Sequence, residues 1–220
     1  MVKEEIELKI RKNLNPEWLD GWSKAYEKEL NSNLKELNPI TIHYPIQLVS
    51  YYIEEENEGK NALDLATGNG RIACFLAQLG FDVMAIDTLK TSVELTKNRA
   101  EALDLSDKVR VELGNIETFH LRKEGYDLIA AMQCLQYLRK NARKRLIELK
   151  NATKEGGFFI YSGNVEPHFD TEPPLKPFFI TKKELRDYFK DWKIYSLGEE
   201  ERVIKENDTR GYVWIIAKNA

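Results

Sequence analysis

The sequence is poor in the residues that most often carry metal, redox or covalent chemistry. It has two cysteines, Cys74 and Cys134, and three histidines, His43, His120 and His168. The cysteines stand in apolar runs without CxxC spacing, which predicts reduced, buried thiols. Because the histidines are dispersed and no carboxylate cluster has ligand spacing, the sequence predicts no metal site.

Long apolar runs are also missing. No window approaches the ~20 apolar residues that span a bilayer, and residues 1–12 are densely charged, unlike a signal peptide. We therefore expect a soluble, cytoplasmic protein with no membrane partner. The net charge of −3, from 33 basic and 36 acidic side chains, argues against nucleic acid as a partner, because proteins that bind phosphate backbones are usually basic.

The 220 residues suit one domain with a terminal extension. Apolar positions three and four residues apart predict a helix over residues 16–30 and a second over about 44–56. The pattern changes near residue 60. We expect an N-terminal helical cap over residues 1–58 and a catalytic domain over residues 59–220.

Short apolar runs alternate with helical patterns in the second part of the chain. This alternation is typical of an α/β fold, in which a mostly parallel sheet carries helices on both faces. The last two strands follow each other across a charged stretch, which predicts an antiparallel hairpin at the sheet edge. The predicted strands are residues 62–66, 82–86, 109–113, 126–132, 158–162, 192–197 and 212–217. The predicted helices are residues 71–79, 89–103 and 139–152, the last closed by Gly156 and Gly157, and a helix that begins at Thr181 with a capping box.

The most informative stretch is NALDLATGNGRIACFLAQLGFDVMAID, residues 61–87. A strand enters a tight turn in which Gly68 and Gly70 let the backbone approach a ligand and open the next helix. The second strand ends at Asp87, about 20 residues later, where a carboxylate can accept both hydroxyls of a ribose. The stretch therefore predicts a nucleotide site.

Two details separate this turn from the one that binds NAD. The turn opens with a carboxylate, Asp64, which would repel a pyrophosphate and suits the ammonium of a cofactor that carries an amino acid. Ala73 stands where the dinucleotide fingerprint G-x-G-x-x-G has its third glycine. A nicotinamide-dependent oxidoreductase is therefore the weaker alternative.

The stretch resembles motif I of the class I S-adenosylmethionine-dependent methyltransferases, which have a Rossmann-like, seven-stranded fold. The resemblance implies S-adenosylmethionine as cofactor and S-adenosylhomocysteine as product. It places the methionine end at Asp64 and the ribose at Asp87. The run VRVELGNIE, residues 109–117, resembles the motif whose acid meets the adenine amino group; here Asn115 takes that position and the Ile116 N–H faces the ring. The implied cofactor-binding residues are Asp64, Ala66, Thr67, Gly68, Gly70, Asp87, Thr88, Asn115, Ile116 and Gln133.

The run YDLIAAMQCLQYL, residues 126–138, resembles the family's fourth strand and the turn that faces cofactor and acceptor. We expect the proline-rich segment 164–177 and the N-terminal helices to cover the cleft. The candidate catalytic residues are Tyr44, Gln133 and His168, with His168 as the titrating base and with Tyr161 and Asn164 also lining the pocket. Trp18, Trp22 and Tyr26 are expected to form the packed face of the cap, and contact with the methyl-sulfonium is the alternative for these aromatics.

The tail carries a narrower resemblance. The run FFITKKELRDYFKDW, residues 178–192, follows a proline-rich loop and is similar to the same region of tellurite-resistance (TehB-like) methyltransferases, which act on small chalcogen oxyanions and related acceptors. That group has a His and Arg pair in the next hairpin, whereas this chain has Arg202 and Arg210 without a histidine. We expect methyl transfer to a small-molecule acceptor that the sequence does not identify. The alternatives are a methyltransferase acting on protein or RNA, for which the basic run 139–145 is the one hint, and a non-catalytic S-adenosylmethionine-binding domain.

Overall fold

The computed structural model describes residues 16–35, 44–53, 56–165, 178–205 and 208–220. In chain order its elements are α1 (Pro16–Glu29), α2 (Tyr44–Val49), β1 (Asn61–Leu65), α3 (Arg71–Gln78), β2 (Asp82–Asp87), α4 (Lys90–Ala102), β3 (Val109–Leu113), β4 (Tyr126–Met132), a 3₁₀ helix (Leu135–Asn141), α5 (Ala142–Ala152), β5 (Thr153–Val165), α6 (Lys182–Tyr188), β6 (Lys193–Lys205) and β7 (Asp208–Lys218). Among the described residues, no helix has the length and apolar character needed to cross a membrane.

The chain divides into two units by the contacts of its backbone. The first unit comprises Met1–His43 and Glu54–His120, and the second comprises Tyr44–Ile53 and Leu121–Ala220. The expected functional division between residues 58 and 59 stays a prediction. Each unit has its own set of strands.

The first unit has three parallel strands in the order β3-β2-β1. Asp64 of β1 pairs with Ala85 of β2, which in turn pairs with Val111 of β3. The interior residues of β1 and β2 are almost completely buried, as expected for parallel strands. Helix α3 follows the turn after β1 and buries Ala73, Cys74, Leu76 and Ala77.

The second unit has four strands in the order β4-β5-β7-β6. Strands β4 and β5 are parallel, whereas β7 runs antiparallel to both β5 and β6. The strand order across the chain is β3-β2-β1-β4-β5-β7-β6. The prediction of a seven-stranded, mostly parallel α/β sheet with an antiparallel C-terminal hairpin is therefore confirmed.

Two of the predicted helices have different limits in the structure. The helix expected over residues 44–56 ends at Val49. Ser50 Oγ there donates to the carbonyl of Gln47 at 2.7 Å, so the side chain competes for a backbone acceptor that the helix would use. The helix expected from residue 139 begins at Ala142, because Arg139 has a left-handed φ of 50° that separates the 3₁₀ helix from α5.

Strand β5 is longer than the predicted strand over residues 158–162. It begins at Thr153, directly after α5, and the two glycines that were expected to close the helix lie inside the strand at an irregularity in its pairing with β4. Gly156 has a φ of 74°, and its N–H donates to the Asn219 carbonyl at 2.7 Å. The Asn219 N–H returns a bond to the Gly157 carbonyl at 2.9 Å. The glycines therefore form a bulge, not a stop.

The hairpin is also longer than predicted. The charged stretch after residue 197 was expected to be a turn, yet Glu199 pairs with Val213 and Arg202 with Arg210 in the antiparallel ladder. The Arg202 guanidinium lies over the Tyr212 ring, 5.2 Å from its centroid. Because β6 is an edge strand, charged side chains are compatible with it and do not end it.

Candidate functional site

The turn between β1 and α3 has the left-handed backbone that its glycines predict. The φ angles are 59° at Gly68 and 77° at Gly70. Ala66 also has a positive φ, 61°, which an L-residue adopts at a cost. The Thr67 N–H donates to the Ile86 carbonyl at 3.0 Å, so the turn is tied to the end of β2.

Gly70 cannot be replaced without moving the neighbouring helix. A Cβ on Gly70 would lie 2.8 Å from the Cα of Thr96 in α4. Helix α4 also fixes the turn through Ser92, whose hydroxyl donates to the Gly68 carbonyl at 2.6 Å. The shape of the turn is thus set by close packing of backbone on backbone.

Asp64 lies near the carboxyl end of β1 and is 1% exposed. Its Oδ2 accepts a hydrogen bond from the Thr67 hydroxyl at 2.7 Å. Burial raises the pKa of the Asp64 carboxyl from 3.8 to about 7, and the charge of Asp87 adds to that effect. A cationic ligand group would offset both and favour the carboxylate.

Asp87 ends β2 and is 6% exposed. Its Oδ2 accepts from the Gly68 N–H and its Oδ1 from the Leu89 N–H, both at 2.9 Å. Burial raises the pKa of this carboxyl, while the backbone donors oppose the rise. Each carboxylate oxygen retains acceptor capacity beyond its backbone donor, so Asp87 is oriented and still able to accept from a pair of hydroxyls. Thr88, the next residue, is also buried.

The residue after β3 is hydrogen-bonded to the last residue of β2. The Gly114 N–H donates to the Asp87 carbonyl at 2.8 Å. Asn115 Oδ1 accepts from the Glu117 N–H at 2.8 Å, so this amide oxygen closes a local turn with one of its two lone pairs. Ile116 is 4% exposed.

Helix α1 packs on the turn as well, and sequence reasoning missed the two charged residues that attach it there, Glu29 and Arg99. A Cβ on Gly68 would lie 2.7 Å from the Tyr26 hydroxyl. Glu29 accepts from Arg71 and from the buried Arg99, each at 2.7 Å. The aromatic spacing in α1 indicated a packed face, but nothing in the sequence pointed to Glu29 or Arg99.

The second unit contains the remaining candidates that the structure describes. Gln133 follows β4 with a φ of 52°. Its N–H donates to the Ser162 carbonyl at 2.9 Å, and its Nε2 to the Ser162 hydroxyl at 3.2 Å. Gln136 Nε2 donates to the Gln133 carbonyl at 2.9 Å. Gln133 is therefore held at the carboxyl ends of β4 and β5.

The structure does not describe the side chains of two of the three expected catalytic residues. His168 lies outside the described residues. Tyr44 begins α2, but its side chain is outside the description. Tyr161 is buried, and burial raises the pKa of its hydroxyl; it is a neutral phenol at physiological pH. In the described part of the chain, no group of three or more His, Cys, Asp or Glu residues could hold a metal ion.

Comparison with known proteins assigns the family. The family model described as tellurite resistance protein TehB matches residues 49–216. The chain belongs to the TehB family. The matched span contains every cofactor-binding residue predicted from the sequence, whereas α1 lies before it.

Individual relatives agree with this assignment. A probable S-adenosyl-L-methionine-dependent methyltransferase TehB of Haemophilus influenzae is 27% identical over 152 residues, which cover 68% of this chain and 51% of that protein. A ubiquinone biosynthesis O-methyltransferase of Rickettsia typhi is 29% identical over 156 residues, covering 71% of this chain and 59% of that protein. The chain therefore spans between half and three-fifths of the length of these relatives.

Solved structures confirm the fold. The crystal structure of Haemophilus influenzae TehB superposes with a TM-score of 0.69 at 21% identity, covering 90% of this chain and 67% of that one. A geranyl diphosphate methyltransferase in complex with SAM superposes with a TM-score of 0.61 at 13% identity, covering 80% and 84%. The class I methyltransferase fold expected from motif I is confirmed.

Proposed function

We propose that this chain transfers a methyl group from S-adenosylmethionine to a small-molecule acceptor. The observation that carries the proposal is the pairing of two buried carboxylates through one turn: Thr67 bonds to Asp64, and the next residue, Gly68, bonds to Asp87. This arrangement fits a ligand with an ammonium at one end and a ribose further along. TehB-family membership supports the same cofactor.

The residues of the first unit would each contact a different part of the cofactor. Asp64 would bind the ammonium. Burial opposes ionisation of the Asp64 carboxyl, and the positive charge of the ammonium would favour it. Asp87, fixed by two backbone N–H groups, would accept from the ribose hydroxyls. Asn115 and the Ile116 N–H would meet the adenine. Ala66, Thr67, Gly70 and Thr88 would shape the surface between these contacts.

The chemistry is a displacement in line with the bond that breaks. The bound cofactor would supply a methyl group on a sulfonium. The acceptor atom would bond to that carbon as the carbon–sulfur bond breaks and its electron pair stays on sulfur, giving S-adenosylhomocysteine, and the proton of an O–H or N–H acceptor would pass to a base. The protein has to align the acceptor, which can lower the barrier by roughly 7–11 kcal/mol. Gln133, held by Ser162 and Gln136, would orient the acceptor. Tyr44 as a further contact and His168 as the base remain part of the proposal.

Two buried amide oxygens near Gln133 support an acceptor that carries O–H or N–H groups. Among the described residues, Gln136 Oε1 and Asn164 Oδ1 are buried without a hydrogen-bond partner, which costs free energy unless a donor arrives. The segment from Phe178, whose N–H donates to the Gln136 carbonyl at 3.0 Å, brings these two residues into one neighbourhood, since the Ile180 N–H bonds to the Asn164 carbonyl. One matched relative is named a ubiquinone biosynthesis O-methyltransferase, and the matching family model is described as a tellurite resistance protein.

Calorimetric titration tests the cofactor assignment. The protein is titrated separately with S-adenosylmethionine, S-adenosylhomocysteine and NAD, and the proposal expects micromolar binding of the first two and none of NAD. Asp87→Ala should abolish binding, whereas Asp107→Ala, which removes an exposed aspartate of the same unit, should not. Absence of S-adenosylmethionine binding by the unmodified chain would overturn the proposal.

A second assay tests the acceptor class. Release of S-adenosylhomocysteine is measured with panels of hydroxyl, thiol, amine and chalcogen oxyanion compounds, and in parallel with unmodified RNA and protein extracts. Turnover only with the macromolecules would contradict the small-acceptor proposal. Once an acceptor is known, His168→Ala should reduce the rate most near neutral pH, where an unprotonated imidazole can take the acceptor's proton. The effect should be smaller at high pH, where the acceptor loses its proton unaided. The cytoplasmic location stays a prediction.

A further inference from the structure

Helix α1 presents one aromatic side chain to the turn that follows β1. The position that a Cβ would take on Gly68 lies 2.7 Å from the Tyr26 Oη and 3.4 Å from the ring carbon that carries it. The hydroxyl therefore occupies the face of the turn that glycine leaves open. Gly68 has a left-handed φ of 59°. The turn therefore requires glycine for its backbone conformation, and the approach of Tyr26 requires the absence of a Cβ.

The ring of Tyr26 is held in place from several sides. Trp22 stacks on it with a centroid separation of 5.7 Å. One turn of α1 earlier in the chain, the Ser23 hydroxyl lies 3.2 Å from that of Thr91 in α4. One turn later, Glu29 bonds to both Arg71 and Arg99. The helix is thus attached to the turn on both sides of Tyr26.

Arg99 connects helix α1 directly to the glycine turn. Its Nε donates to the carbonyl of Asn69, the residue after Gly68, at 2.8 Å, and its Nη1 donates to the Leu34 carbonyl beyond α1 at 2.8 Å. Asn69 Nδ2 also donates to Glu29 at 3.3 Å. Because one buried guanidinium connects α1 with the glycine turn, the position of Tyr26 over Gly68 is fixed by polar contacts and not by apolar packing alone.

The location of Gly68 indicates which part of a bound cofactor Tyr26 would contact. Thr67, one residue before, bonds to Asp64, and Gly68 itself bonds to Asp87. If Asp64 binds the amino-acid end and Asp87 the ribose, the group over Gly68 lies between them. In S-adenosylmethionine the atom between these two parts is the sulfonium sulfur.

We propose that Tyr26 completes the cofactor site from α1 and contacts the sulfonium centre of bound S-adenosylmethionine. This inference rests on the proposed function. A phenol suits the position, because its oxygen and its π face both carry negative partial charge and a sulfonium is cationic. S-adenosylhomocysteine has a neutral sulfur, so the same contact favours the methyl donor over the product. Helix α1 precedes the span matched by the TehB model, so that match by itself assigns no role to Tyr26.

Calorimetry of three variants tests the inference. Tyr26→Phe removes the hydroxyl and keeps the ring that stacks on Trp22; Tyr26→Leu removes the ring. We expect Tyr26→Phe to weaken S-adenosylmethionine binding about three- to tenfold and Tyr26→Leu to weaken it further, with S-adenosylhomocysteine affinity changed less than twofold. Tyr51→Phe is the matched control, since Tyr51 is 81% exposed and belongs to the second unit; it should change neither affinity.

The possible outcomes are distinct. Equal weakening for both ligands would overturn the sulfonium assignment, and unchanged or tighter binding by Tyr26→Phe would overturn the contact altogether. Thermal unfolding of each variant is measured alongside, and Tyr26→Phe should unfold within about 2 °C of the unmodified chain, because ring packing is retained. If the unmodified chain itself fails to bind S-adenosylmethionine, the proposed function fails instead, and the variants are not the cause.

Discussion

The guanidinium of Arg99 donates to the carboxylate of Glu29 across 2.7 Å, and the arginine side chain has no exposed surface while the glutamate retains 20%. Burial lowers the pKa of Arg99 and the charge of Glu29 counteracts this effect. Glu29→Gln would leave a buried cation facing a neutral amide. We expect the free energy of unfolding to fall by about 2 kcal/mol, less than for a fully buried pair, as measured by urea denaturation at pH 7.

Glu27→Gln is the control for this substitution. Glu27 lies in the same helix and accepts from Ser23 at 3.2 Å on the exposed surface. Its replacement should change stability by no more than about 0.5 kcal/mol. Similar losses for the two variants would show that the charge of α1, and not the contact with Arg99, matters.

Asp64 should make stability fall as pH rises. Its carboxyl ionises near 3.8 in an unfolded chain and near 7 in the folded one, so the folded state holds the proton more tightly. Between these values the unfolded state loses its proton first, which favours unfolding. The loss begins near pH 4 and is complete above pH 7, with an upper limit of about 4 kcal/mol.

Comparison with Asp64→Asn isolates this effect, because the amide does not titrate. The variant should match the unmodified chain near pH 4 and be more stable at pH 8, by a few kcal/mol at most. Binding should change in the opposite direction: the unmodified chain should lose affinity for S-adenosylmethionine below pH 7, and Asp64→Asn should bind weakly throughout. A stability difference that does not vary with pH would contradict the raised pKa.

The two glycines of the turn should respond differently to alanine. In Gly70→Ala the new methyl meets the backbone of Thr96 at 2.8 Å, so helix α4 must move; we expect a loss of about 3 kcal/mol or more. In Gly68→Ala the nearest atom is the hydroxyl at the end of the Tyr26 side chain and not backbone, so a small shift of that side chain relieves the contact. Stability should fall by about 1–2 kcal/mol from backbone strain, while cofactor affinity falls strongly. Thermal unfolding and calorimetry on both variants separate the two effects.

Ala66 offers the reverse experiment. Its φ of 61° is unfavourable for an L-residue by about 1–2 kcal/mol, and the extra unfolded-state entropy of glycine offsets about half of this. Ala66→Gly should therefore raise the free energy of unfolding by about 0.5–1 kcal/mol. Ala62→Gly, in the extended and buried part of β1, should instead destabilise by about 1 kcal/mol. Destabilisation by both variants would mean that Ala66 is not strained.

The sequence was most informative where periodicity and ligand chemistry coincide. The turn after β1 could be predicted because a tight turn requires glycines at fixed spacing and a ligand site requires polar groups at strand ends. Both requirements are visible in the sequence as Gly68 and Gly70 and as Asp64 and Asp87. Strand β5 was predicted too short, because Gly156 and Gly157 signal a break in a pattern, although here their N–H and carbonyl groups pair with Asn219 near the other end of the chain. Long-range pairing of this kind has no local signature.

The charged contacts of α1 could not be predicted for a similar reason. Glu29 and Arg99 are 70 positions apart, and each has the appearance of a solvated charge on a helix. Tyr26 was expected in the packed face of the cap, with contact to the methyl-sulfonium as the alternative. Only its position against Gly68 distinguishes it from Trp22 beside it. Sequence patterns specify which face of a helix is apolar, but not which partner that face meets.

The attachment of α1 bears on where this protein can be shortened. A version trimmed to the matched span, residues 49–216, would retain Arg99 but lose both the carboxylate of Glu29 and the carbonyl of Leu34 that it bonds to. A guanidinium buried beside the nucleotide turn would then be exposed to water or left without its counter-charge. The span that the family model matches and the length needed to keep the glycine turn fully paired are therefore different quantities in this protein.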